Sequence, residues 1–292
     1  MYIKLLITPN LQPMQITAST RKTLLIYLAL VPFVAIIIAF AVGHSNYKLY
    51  LPIWLLHSCL LFAAAWVLGL RMIGGPDIEK KHMAVVALFM IVPWIFITIF
   101  AGMGPPPATI PGWLTTAVEQ QSRYIILIVA GLLFTSGFVL LREQLRQRGE
   151  NLYSLLGLTF ILIKMPLYIL DMLYLGDYRL ELYRIFAASG TDKRPDWPLP
   201  FRELFYSIGM VEVALTYLAT AAFAVALRKT GFIKAGSKRI YVLLSFVGFV
   251  LALLPASVPD PLAIPSYLVC IPAVTFIIPY FFAINLLHRA GN

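Results

Sequence analysis

Lys164, Tyr168 and Asp171 are spaced i, i+4 and i+7 in the stretch YSLLGLTFILIKMPLYILDMLYLG, which sets all three on one face of a helix. Glu212, Thr216 and Thr220 repeat the pattern at i, i+4 and i+8, beside the small residues Ala219, Ala221, Ala222, Ala224 and Ala226 that let a neighbouring helix pack closely. Both stretches are otherwise almost wholly apolar. An ionised side chain at the centre of a membrane helix costs about 2.5–3.5 kcal/mol on insertion scales, so each one asks for a partner or a hydrated cavity. The chemistry open to this set is binding and charge coupling. Lys164 can attract an anionic group or close a gating pair, Glu212 can respond to a proton or a cation, and Asp171 can line an entrance. His57, on another apolar stretch with Cys59, joins them as a polar group at comparable depth. The same charges could equally form a structural ion pair that fixes helix register.

The side-chain sets that membrane enzymes need are missing. There is no GxSxG, HExxH, CxxC, glycine-loop Walker lysine or DxxD pattern. Metal-dependent transfer chemistry is not expected from 13 acidic residues, most of them in loops. Two cysteines and four histidines without Cys/His spacing exclude a zinc finger, and His44, His82 and His288 sit at helix ends, so neither a haem nor another cofactor is expected, and no metal. The reading leans away from an enzyme.

The elements that must carry these residues follow from composition. Of 292 residues, 60% are hydrophobic and 12% charged, far from the roughly 45–50% and 25% of a soluble domain. Crossing a hydrocarbon core takes about 20 mostly apolar residues. Eight stretches qualify: 23–43, 50–72, 82–103, 123–141, 153–176, 206–227, 238–257 and 262–287. The expected fold is all-α and polytopic, with a short N-terminal segment, 1–22, and a single transmembrane domain, 23–292. The first apolar run lacks a small-residue cleavage pattern and is expected to stay attached as a helix.

Orientation follows from Lys and Arg. With a cytoplasmic N-terminus, fifteen of the 23 basic residues fall inside and seven outside, leaving Lys164 in the membrane. Five of the outer seven lie in one loop balanced by Asp177, Glu181, Asp192, Asp196 and Glu203. Both termini are therefore expected in the cytoplasm. In such a protein the net charge of +10 reports inner loops that meet anionic headgroups, not nucleic acid.

Counting inward from the outer helix ends at about 1.5 Å per residue, Asp171 lies roughly 7 Å deep, Glu212 roughly 9 Å and Lys164 roughly 18 Å. This predicts a polar cavity open to the outside between the fifth and sixth spans, with Lys164 at its floor. The third connection, GMGPPPATIPGWLTTAVEQQSR, combines a triple proline that favours an extended segment with Trp113 and an amphipathic stretch after it, and predicts a stiff outer loop with a short interfacial helix. In the fifth, Leu180, Tyr183 and Ala187 should share a helical face, a surface anchor or a cap. The function expected is binding or transport of a small solute or ion in a cell membrane, with the bacterial inner membrane as its site. The alternative is a non-catalytic sensory or structural subunit of a membrane complex, docked to a membrane-protein partner.

Overall fold

A computed structural model describes residues 17–42, 47–190, 198–255 and 258–290. Residues 1–16 of the expected N-terminal segment and 191–197 of the long outer loop lie outside the described residues. The described residues form helices α1 (Ala18–Val42), α2 (Tyr47–Ile73), α3 (Ile78–Ile91), α4 (Pro93–Gly102), α5 (Ile110–Thr115), α6 (Ala117–Gln147), α7 (Leu152–Leu173), α8 (Arg179–Ala188), α9 (Leu199–Lys229), α10 (Ala235–Ala252), α11 (Ala263–Val269), α12 (Pro272–Thr275) and α13 (Ile277–Ala290). A wide π-turn, Tyr174–Tyr178, joins α7 to α8. No strand occurs among the described residues, and eight helical stretches are long and apolar enough to cross a membrane. The chain thus has the make-up of an integral multi-pass membrane protein.

Several helices outrun the apolar stretches that reveal them. Helix α6 begins six residues before Arg123 and runs six past Leu141. Its polar end is held by i, i+3 and i, i+4 partners: Arg146 donates to Glu143 at 2.7 and 2.9 Å and Gln147 to the same carboxylate at 3.1 Å. At the start of α7 the Glu150 carboxylate accepts from the Tyr153 and Ser154 N–H groups, both at 2.9 Å, satisfying donors that a helix N-terminus leaves free. Asp77 does the same for α3, accepting from Glu79 and Lys80.

Three expected spans take a different form. The third is broken at Val92, because Pro93 has no N–H to continue the ladder and starts α4 instead. The fifth does not stop at Gly176. It passes through the π-turn into α8, giving a 37-residue stretch, Leu152–Ala188, of roughly 55 Å against about 30 Å of hydrocarbon. The eighth is not one helix. Pro272 forces Ile271 to an extended backbone, φ −67°, ψ 128°, and a second interruption falls at Phe276, so α11, α12 and α13 replace a single rod.

Helix α9 packs on α7 and on α10. Helix α6 backs α7, while α3 fills the space between α6, α13 and α2. The core joins Met90, Trp94, Phe134, Phe138, Phe223, Tyr280 and Phe282. Outward faces are apolar: Ile26, Leu30, Phe33 and Ile37 on α1, and Leu243, Phe246 and Val250 on α10. Leu243 is 61% exposed while Lys164 is 2% exposed, the reverse of a soluble protein and the arrangement a bilayer favours.

Candidate functional site: a caged ammonium between α7 and α9

Lys164 stands midway along α7, opposite Glu212 on α9. The two helices approach closely because Gly157 has no side chain: a Cβ there would fall 2.7 Å from the Phe223 ring and 3.2 Å from the Ala219 carbonyl. Small residues at a crossing are how helices come together where both surroundings and side chains are apolar. Two turns along from Gly157, this proximity sets Lys164 Nζ 3.7 Å from Glu212 Oε2. The side chains are 3% and 8% exposed, so the pair is enclosed. At 3.7 Å the contact exceeds hydrogen-bond length, and charge holds it.

Two aromatic rings complete the enclosure. Nζ lies 4.1 Å from the ring centre of Tyr168 and 4.6 Å from that of Phe276, both inside the cation–π range of about 6 Å. The rings meet edge to face, 6.4 Å apart at 90°. Helix α6 anchors both. The Tyr168 hydroxyl donates to the Leu127 carbonyl at 2.9 Å, and the ring lies on Gly131, where a Cβ would sit 2.6 Å from it. Phe276 stacks on Phe134 at 4.3 Å and 6°. Phe276 comes from the interruption between α12 and α13, so its position depends on a broken helix rather than a continuous one.

Thr216 lies one turn along α9 from Glu212 and is buried. Its hydroxyl donates to the Glu212 carbonyl at 2.9 Å, and Thr220 donates to the Thr216 carbonyl at 2.8 Å, which leaves both hydroxyl oxygens able to accept. Asp171 is half-buried with its carboxylate against Gly209, Oδ2 lying 3.6 Å from where a Cβ would stand, and within reach of the charges of Glu212 and Arg179. It makes no ion pair with a described residue. His57 stands elsewhere. It is buried on α2, whose main neighbours are α1, α3 and α4, and its Nε2 has no hydrogen-bond partner. Cys59 and Cys270 are free thiols. Among the described residues no cluster of His, Cys, Asp and Glu could hold a metal ion.

The end of the bundle that holds α5 and α8 is built from residues that hydropathy does not single out. Arg123, 1% exposed, donates to the Gly104 and Met103 carbonyls and reaches Glu119 at 3.4 Å, tying the start of α6 to the loop after α4. Trp113 on the short helix α5 is buried, with its indole N–H donating to Pro107 O at 2.7 Å. The Arg179 guanidinium lies 4.7 Å over the Trp113 ring, which fixes α8 against α5. The buried residues of α8 are Leu180, Leu182, Tyr183 and Phe186; Ala187, expected beside Leu180 and Tyr183, is exposed. Tyr174 and Tyr178 of the π-turn stack on Phe205 (4.1 Å) and Phe201 (5.8 Å) of α9. At the opposite end, Arg148, Glu150, Asn151, Lys229 and Thr230 line a cleft of about 350 Å³, where Arg148 pairs with Glu79 and lies 4.2 Å over Phe232.

No protein-family model matches this chain, and neither a curated protein nor a solved structure is similar to it at a significant level.

Proposed function

We propose that the protein binds or moves a small solute or ion at the Lys164–Glu212 site, entered from the extracytoplasmic side between the fifth and sixth spans. The observation that carries this reading is an enclosed pair of opposite charges at mid-helix, 3.7 Å apart, one wall of which comes from a broken helix. Charges are retained inside a membrane protein where ions or protons must pass, and interrupted helices bind substrates in many transporters. Glu212 is the proton- or cation-responsive group, Asp171 lines the entrance, Thr216 offers an accepting oxygen below the pair, and Tyr168 walls the ammonium. His57 contributes a second polar point on α2, away from the pair. Both termini face the cytoplasm in this reading, which follows the distribution of Lys and Arg. The membrane is then the bacterial inner membrane, and the inner cleft with Arg148 and Lys229 meets anionic headgroups.

The tight enclosure of the pair also fits a non-catalytic sensory or structural subunit of a membrane complex, in which the charges only hold α7 to α9. Proton flux separates the two readings. In vesicles reconstituted with the wild-type protein, an imposed gradient should drive flux that Glu212→Gln abolishes. Equal flux in both forms, at the level of empty vesicles, would support the subunit.

A further inference from the structure

We infer that the ligand of this site is a small organic cation bearing an alkylated ammonium group, which replaces the Lys164 ammonium between Tyr168 and Phe276. The inference rests on the reading of this site as one that binds or moves a solute. It starts from the walls. Two aromatic faces at 4.1 and 4.6 Å and one carboxylate at 3.7 Å surround Nζ. Ring faces carry negative potential and favour cations, and quaternary ammonium groups are recognised by walls of this kind. An anion entering the same space would meet two such faces and the Glu212 carboxylate. The Lys164 side chain, in effect, is a tethered occupant that shows what the cage accepts.

Charge balance then sets the coupling. The enclosure holds one carboxylate, and a second cation beside the first would be uncompensated in a medium of low dielectric. A cation can enter only as the Lys164 charge leaves. The lysine N–H bond breaks heterolytically, its proton passes to water, and the free amine swings out from between the rings. No electron is transferred. One proton leaves for each cation bound, so the site exchanges organic cation for proton. Phe276 is the wall able to give way, because it sits at the junction of α12 and α13 rather than within a continuous helix. The approach is marked by Asp171, a half-buried carboxylate that no described base neutralises in an ion pair, beside the Tyr174, Tyr178, Phe201 and Phe205 stack.

Tetramethylammonium chloride is the probe, since the quaternary ion carries no proton of its own. Added to the full chain in lipid nanodiscs, it should raise the unfolding temperature and release protons to a weakly buffered indicator, whereas sodium chloride and sodium propionate should do neither. Glu212→Gln should remove the response. Phe276→Leu should weaken binding about five- to thirtyfold, the span from the upper end of an exposed cation–π contact to a desolvated one. Phe276→Leu keeps an apolar wall and carries the test if Glu212→Gln does not fold. Stabilisation by propionate in place of tetramethylammonium, no response to tetramethylammonium, or an affinity unchanged by Phe276→Leu would each overturn the inference. Glu212-dependent proton flux in vesicles, persisting without any tetramethylammonium response, would overturn it while leaving the solute-site reading intact; loss of both would remove the reading as well.

Discussion

Lys164 and Glu212 compensate each other where almost nothing else can. Removing one charge leaves its partner enclosed and unpaired, which costs about 3–5 kcal/mol in buried pairs, whereas removing both leaves a neutral site. Lys164→Met should therefore lower stability by about that amount, and Lys164→Met with Glu212→Gln should recover most of the loss. Equilibrium unfolding in detergent measures this, and additive losses would contradict the pairing. The face carrying Lys164, Tyr168 and Asp171 was legible because helical spacing places polar residues on one side of an apolar run. Phe276 was not. An aromatic residue among Val274, Thr275, Ile277 and Ile278 reads as lipid-facing or core, and nothing in its neighbours shows that its ring covers an ammonium.

Among the elements, the close approach of α7 and α9 is what makes the pair. Gly157→Val would press two methyl groups on the Phe223 ring and the Ala219 carbonyl, an overpacking cost of about 1–3 kcal/mol. It should also shrink the coupling between Lys164 and Glu212 in a double-mutant cycle; unchanged coupling would mean that the crossing does not set the pair. Arg123 positions the loop after α4 in a similar way. Arg123→Met would leave the Met103 and Gly104 carbonyls without these donors, and amide hydrogen exchange over residues 103–116 should quicken while α6 beyond Ala130 is unaffected. The eight apolar stretches could be counted from hydropathy; the amphipathic stretch after Trp113 points to a short helix, but that stretch opens α6 and the short helix α5 holds Trp113 itself. Pro93, Pro166, Pro272 and Pro279 inside the expected spans each invite a kink, but which of them breaks a helix could not be read, because a proline can bend a helix, start one or end one; Pro166 lies inside α7 while Pro93 starts α4 and Pro272 starts α12. The π-turn has no apolar or charge signature, and the run of α7 into α8 depends on aromatic stacking with α9 that only the fold brings about.

For the whole molecule, the proposed topology of eight crossings from a cytoplasmic N-terminus would return the chain to the cytoplasm. Reporters fused after Asn292 and within the loop from Thr230 to Ser237 should both read cytoplasmic; opposite readings would change the count by one crossing. The account requires above all that the enclosed site open to water from outside. Thr216 and Ala222 are both buried on α9, but Thr216 lies one turn from Glu212 on the side facing the pair, whereas Ala222 is turned about 240° further round the helix. With Cys59 and Cys270 replaced by alanine, Thr216→Cys should be labelled by a membrane-impermeant thiol reagent applied outside, and Ala222→Cys should stay protected. Equal protection of the two positions would contradict the account and leave a permanently closed, charge-paired bundle.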